Sequence, residues 1–229
     1  MGALITALPK GRLLPEVLAL LRQSNFISDE LAIEETSRQL IFTDPLTGYA
    51  FLLAKPKDVP VYVEHGAADI GITGKDVIRE HGKHLYEMLD LEVGLCKLVV
   101  AAPECRGIER LDQIVEHSRV ATSYPGITRD FFNRHGIQVE IIRLNGSVEL
   151  APLIDLADLI VDLSSSGCTL RENKLITLAE VLISSARLIV NKVSYKTKYQ
   201  LIGRLIESLK EGKGKEDAAI LLSNRPKQD

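Results

Sequence analysis

Residues 161–170 read VDLSSSGCTL. The apolar run at 159–161 has the character of a buried strand. It ends on one carboxylate, Asp162, and a cluster of serines, a glycine and a threonine follows. Small hydroxyl residues around a glycine are ordinary turn chemistry. They are also what a loop needs to hold an oxyanion. Ser164, Ser165, Ser166 and Thr169 supply hydroxyl donors, Gly167 permits a positive φ, and consecutive backbone N–H groups can converge on one point. Cys168 reads as a small filler there, not as a nucleophile. If residues 170–172 begin a helical turn, its N-terminus adds partial positive charge. Asp162 does not suit a phosphate, but it suits vicinal hydroxyls. The ligand that fits both halves is a sugar phosphate.

Such a loop needs a scaffold that brings strand ends to one edge, and the rest of the chain supplies the pattern. Short apolar strands (3–8, 39–43, 49–53, 69–73, 93–102, 120–122, 139–143, 159–162) alternate with segments of helical periodicity (13–21, 58–65, 75–81, 128–135, 148–155). The stretch DPLTG at 44–48 predicts a hairpin loop. Residues 175–184 and 188–189 read as extended and 199–210 as a helix, and 210–216 as a solvated charged connection. This is an α/β pattern, and ligands of open α/β sheets bind beyond the carboxyl ends of the strands. Two such series separated by long extended crossings predict two lobes around a cleft: residues 1–95 plus 185–229 as lobe I, and 96–184 as lobe II carrying the serine loop.

Composition narrows the function classes. The 229 residues are 45% hydrophobic and 26% charged with a net charge of −3, so no basic field points to nucleic acid or to an anionic membrane. Aromatics are only 5% and Trp is absent, which argues against a base-stacking platform. Three cysteines and five histidines show no metal-ligand spacing. No run approaches the ~18 apolar residues of a membrane helix, and the N-terminal apolar patch is too short for a secretory signal. The expected setting is the cytoplasm.

The order apolar–apolar–Asp, two residues, Ser–Ser–Gly–x–Thr–Leu resembles the phosphoribosyl-pyrophosphate (PRPP) loop of phosphoribosyltransferases. The single acid and the SGCTLREN that follows resemble the ATP phosphoribosyltransferase family. ALPKGRL (7–13), SRQLIFTDPLTG (37–48), DVPVYVEHGAADIGITGKD (58–76), VATSYPGITRDFF (120–132) and LNGSVELAPLIDLADLIVDLSSSGCTLREN (144–173) carry the same resemblance in order. It implies an α/β, two-lobed fold like the type II periplasmic binding proteins, with a central cleft. It implies the attack of adenine N1 of ATP on C1 of PRPP, with Mg²⁺, as the first step of histidine biosynthesis. In that reading Ser164–Thr169 hold the 5′-phosphate. Asp162 and Glu149 take the ribose hydroxyls or the Mg²⁺ shell, and no dedicated metal cage is needed, because Mg²⁺ keeps substrate phosphates and water. Lys10, Arg12, Arg38 and Lys55 serve the polyphosphates, with Lys55 standing where the family is expected often to have Arg, a fork rather than a point charge. Asp69, Thr73 and Gly74 lie on the ATP side. Length implies the short form, without the C-terminal histidine-binding domain. That form works as homodimers in a hetero-oligomer with a regulatory subunit similar to histidyl-tRNA synthetase. Two rivals share the pattern: a cytosolic two-lobed anion- or nucleotide-binding module without catalysis, and a phosphoribosyltransferase acting on a free base.

Overall fold

The computed structural model describes residues 3–34, 39–82 and 85–223. In chain order the elements are β1 (Ile5–Pro9), α1 (Leu14–Gln23), β2 (Ile41–Thr43), β3 (Ala50–Ala54), α2 (Val59–Glu64), β4 (Ile70–Gly74), α3 (Lys75–His81), β5 (Tyr86–Asp90) and β6 (Cys96–Pro103). They continue with β7 (Ser118–Thr122), α4 (Pro125–Arg134), β8 (Val139–Arg143), α5 (Leu150–Leu153), β9 (Leu159–Ser164), α6 (Cys168–Glu172), β10 (Leu175–Ser184), β11 (Ala186–Val190), α7 (Lys192–Thr197) and α8 (Tyr199–Ser223). Among the described residues no helix is long and apolar enough to cross a membrane.

The chain forms two compact units, residues 1–74 with 83–94 and 186–229, and residues 75–82 with 95–185. Unit 1 is a six-stranded mixed sheet in the order β2-β3-β1-β4-β11-β5, with β1 parallel to both β3 and β4. Its helices cover the sheet tightly. A Cβ on Gly71 of β4 would lie 2.7 Å from Val63 and 2.8 Å from Val59 of α2, so only glycine fits there. The hairpin at 44–48 forms as expected. The fully buried Asp44 accepts the N–H groups of Leu46, Thr47 and Ser28 and so closes the loop. Burial alone would raise its pKa, but those N–H bonds prevail and hold the carboxyl below its ordinary range.

Unit 2 is a five-stranded mixed sheet in the order β10-β6-β9-β7-β8, with β7, β8 and β9 parallel. Both faces are buried, which is why its strands read as unbroken apolar runs. Leu98, Val100 and Ala102 of β6 join Leu159 and Val161 of β9 on one face, packed by Phe131 and Phe132 of α4. Val99, Ala101 and Ile160 face the other way, against Val148, Ala151 and Leu170.

Several expectations change. Residues 75–82 belong to unit 2, not to the first segment, because α3 is tied into that unit. Asp76 Oδ1 and Oδ2 accept from Ser184 Oγ (2.6 Å) and Tyr124 Oη (2.9 Å), and Glu80 accepts the Gly126 and Ile127 N–H groups at the start of α4, each at 2.9 Å. The charged stretch at 210–216 continues α8 instead of interrupting it; Lys and Glu favour helix strongly enough to carry Gly212 and Gly214. The helix expected at 148–155 is only α5, and the edge strand β5 and the short α7 escaped the reading. β5 is a half-exposed edge with no sustained alternation, and α7 is a six-residue helix capped by Asn191, whose side-chain oxygen accepts the Val193 and Ser194 N–H groups.

Asp69, just before β4, ties unit 1 together. Its carboxylate accepts Ile5 N (2.9 Å), Ser194 Oγ (2.7 Å) and Lys198 Nζ (2.7 Å), while its carbonyl accepts Asn191 N. Asp69→Ala would strand those donors, and we expect it to lower stability by about 3 kcal/mol. A fall in the denaturant midpoint at constant m-value checks this.

Candidate functional site

In unit 2 the alternation of β9 decides what the loop presents. Asp162 and Ser164 have the same parity as Ile160, so they lie on the face where α5 and α6 pack. Pairing with β7 stops at Thr122↔Val161, while β9 runs on beside β6 to Lys97↔Ser164. Asp162 and Ser164 are thus carried past the end of β7, half-buried. Asp162 Oδ1 accepts the N–H of Leu163 at 2.9 Å.

The turn itself is shorter than the sequence suggests. Ser164 is still strand, Cys168 and Thr169 already belong to α6, and only residues 165–167 turn between them. Gly167 makes this possible with φ +72° and ψ 1°, the left-handed region. Ser165, Ser166, Cys168 and Thr169 are exposed, and the Ser166 hydroxyl accepts the Cys168 N–H at 3.4 Å. Glu149 immediately precedes α5, whose segment packs on the same face of the sheet. Leu144 N bonds Thr122 O at the end of β7, and Val148 and Ala151, flanking Glu149, share a core cluster with Ile160 and Leu170. Among the described residues no group of three or more His, Cys, Asp or Glu is arranged to hold a metal.

One residue at this loop escaped the sequence reading. Arg171, in the first turns of α6, lays its guanidinium over the bend. Nη2 donates to Ser166 O and reaches Cys168 Sγ, both at 3.2 Å. The only trace in sequence is an arginine four residues after a glycine, which is too common a spacing to single out.

Unit 1 assembles the cations by register. β1 and β3 are parallel neighbours in the register Pro9↔Ala54, and Lys10 N bonds Ala54 O at 2.7 Å. Lys10 and Lys55 therefore emerge side by side at adjacent carboxyl ends. Gly11, at φ +94°, turns the chain there and Arg12 is exposed. Thr73 Oγ1 donates to Pro56 O (3.1 Å), which ties the end of β4, with Gly74, to the same edge. Thr73 is fully buried, so its hydroxyl fixes this edge, whereas Gly74 is half-exposed. Asp69 does not join them. It precedes β4, at the opposite end of the strand from Thr73, and its carboxylate is spent on the unit-1 network. Asp69, Thr73 and Gly74, expected together on the ATP side, are divided because an extended strand separates its two ends by ~3.3 Å per residue. Arg38 lies outside the described residues.

Asp76, Tyr124 and Ser184 were also missed. They form a buried cluster in unit 2, where burial and then the negative charge of Asp76 push the Tyr124 phenol far above its ordinary range and keep it a donor.

Comparison with known proteins gives the same family from independent directions. The family model described as ATP phosphoribosyltransferase matches residues 55–211. An ATP phosphoribosyltransferase of Halothermothrix orenii is 63% identical over 92% of this chain and 95% of its own length. One from Thermoanaerobacter sp. is 50% identical over 90% of this chain and 93% of its own. Among solved structures, the ATP phosphoribosyl transferase (HisG:HisZ) complex from Thermotoga maritima aligns with TM-score 0.77 and 35% identity, covering 91% of this chain and 98% of that one. A substrate-binding protein of an amino-acid ABC transporter shares the fold alone, with TM-score 0.63 and 14% identity over 99% of this chain and 100% of that one. The two-unit α/β fold is thus of the periplasmic-binding-protein type, and the chain belongs to the ATP phosphoribosyltransferase family.

Proposed function

We propose that the two strand-end constellations divide the work of one reaction, the joining of adenine N1 of ATP to C1 of PRPP, which gives N1-(5-phosphoribosyl)-ATP and pyrophosphate. The chain is an enzyme, a pentosyltransferase, and it opens histidine biosynthesis. The observation that carries the division is the parity of β9, which sets Asp162 beside a glycine-bent, hydroxyl-rich turn.

Residues 164–169 hold the 5′-phosphate through backbone N–H and hydroxyl donors. Asp162 accepts from the ribose hydroxyls, with Glu149 beside it. Substitution at an anomeric carbon develops positive charge on the sugar and negative charge on the departing pyrophosphate. Lys10 and Lys55, with Arg12 and Arg38, serve those phosphates as fixed cations. The nucleophile is the adenine nitrogen itself, so no side chain need attack. The hard oxygens of Asp162 and Glu149 suit Mg²⁺, which needs only one or two carboxylates besides phosphate and water. When bound, Mg²⁺ neutralises pyrophosphate charge.

Its partners in this reading are a second copy of the chain and a separate regulatory subunit similar to histidyl-tRNA synthetase, assembled as a hetero-oligomer. The Thermotoga complex, which pairs HisG with HisZ, supports this. The reaction belongs in the cytoplasm.

Mixing the chain, ATP, PRPP and Mg²⁺ should raise the absorbance of N1-substituted adenine, with and without the regulatory subunit. Binding with no turnover in either mixture would instead indicate a nucleotide-binding module. Asp162→Asn should raise the KM for PRPP by about tenfold or more, the worth of a charged hydrogen bond, and leave the Kd of ATP within about twofold. Equal losses for both substrates would contradict the assignment. Gly167→Val forces a β-branched residue to positive φ and drives its side chain toward the Arg171 guanidinium, 3.0 Å from a Cβ at that position. Turnover should vanish while circular dichroism stays that of the parent.

A further inference from the structure

The bend at Gly167 creates a problem that the loop must solve. Glycine accepts either sign of φ at little cost, so the Ser166–Gly167 peptide plane can turn over by counter-rotation about its two flanking bonds. In a trans peptide the C=O and N–H point in opposite directions. One orientation gives a bound anion the Gly167 N–H. The other gives it the Ser166 carbonyl oxygen, which repels it. A loop that shares its time between the two loses affinity in proportion to the fraction misaligned.

The side chain of Arg171 bears on this plane directly. Nη2 donates to Ser166 O at 3.2 Å and to Cys168 Sγ at 3.2 Å, and Nη1 stands 3.0 Å from where a Gly167 Cβ would be. The guanidinium therefore spans residues 166–168 from one side. Its own anchorage is local: Arg171 N bonds Gly167 O at 3.1 Å in the first turn of α6. Charge-assisted bonds of this kind are roughly twice as strong as neutral ones, and the two N–H bonds of Nη2, fixed in direction by the planar guanidinium, serve a carbonyl and a sulfur together in a geometry that a freely rotating ammonium does not hold.

We propose that Arg171 is a positioning residue: it locks the Ser166–Gly167 peptide with the carbonyl held by the guanidinium and the Gly167 N–H turned away from it, so the loop meets the PRPP 5′-phosphate with its donors already aligned. This rests on residues 164–169 being the PRPP loop. It assigns Arg171 to the far side of the loop from the phosphate. Gly167 then supplies the reach the loop needs, and Arg171 removes the ambiguity that comes with it.

The test is calorimetric titration of PRPP, and separately of ATP, into the full chain and its Arg171→Gln and Arg171→Lys variants, with backbone amide exchange at 165–169. Arg171 is exposed, so both variants should keep the parent's thermal midpoint. In the parent, PRPP should slow exchange at 165–169. Both variants should weaken PRPP by about tenfold and leave ATP unchanged. Full PRPP affinity in Arg171→Gln would overturn the lock. So would full affinity in Arg171→Lys alone, since a point charge acting on the phosphate would then suffice. If PRPP binds the parent without slowing exchange at 165–169, the loop assignment itself falls, and the lock with it.

Discussion

A strand buried on both faces can offer a ligand only what it carries beyond its neighbours. β9 meets this constraint by ending late. Its first residues, Leu159, Ile160 and Val161, are fully committed to the two core clusters of unit 2, and β7 stops pairing at Val161. The next side chain on the α5 and α6 face is Asp162. The chemistry of the loop follows from that parity: one residue earlier or later, the carboxylate would point into the Phe131 and Phe132 face. A turn rich in hydroxyls follows, and the core residues Val148 and Leu170 pack the segment of Glu149 and α6 against the same face.

Unit 1 solves the matching problem for cations with register alone. Parallel neighbours place the residues after Pro9 and Ala54 together, so lysines 45 positions apart in sequence stand at adjacent strand ends. The acid expected to accompany them, Asp69, has a different task. It collects an amide, a hydroxyl and an ammonium group at the opposite edge of the sheet, where an unpaired carboxylate would be costly and a paired one holds β1, β4 and the segment from Ser194 to Lys198 in place. In unit 2 the Asp76–Tyr124–Ser184 cluster plays the same part for α3.

Much of this was legible in the chain itself. Alternating and continuous apolar runs located most strands, DPLTG located its hairpin, and the VDLSSSGCTL stretch announced a strand end and a glycine turn. Those signals are local: they depend on side-chain periodicity, on glycine's freedom and on the hydroxyl inventory within a few residues. β5 carried no such signal, because a half-exposed edge strand takes its order from what it packs against, and α7 carried only its Asn191 cap, a single polar residue before six helical ones.

The sequence by itself determined the α/β class, since periodicity is a property of the chain, and it set a lone acid before serines and glycine, a pattern that suits a sugar phosphate but is equally ordinary turn chemistry. Only the tertiary structure decided which polar residues are committed to the fold and which are carried to a strand end past their neighbours. Asp69 and Asp162 are the same residue type in similar strand contexts, yet one is surrounded by internal donors and the other stands past the end of a neighbouring strand. Arg171 is a routine helical arginine until the turn folds its guanidinium over Ser166. Those distinctions rest on which groups meet across long stretches of chain, and a linear pattern does not contain them.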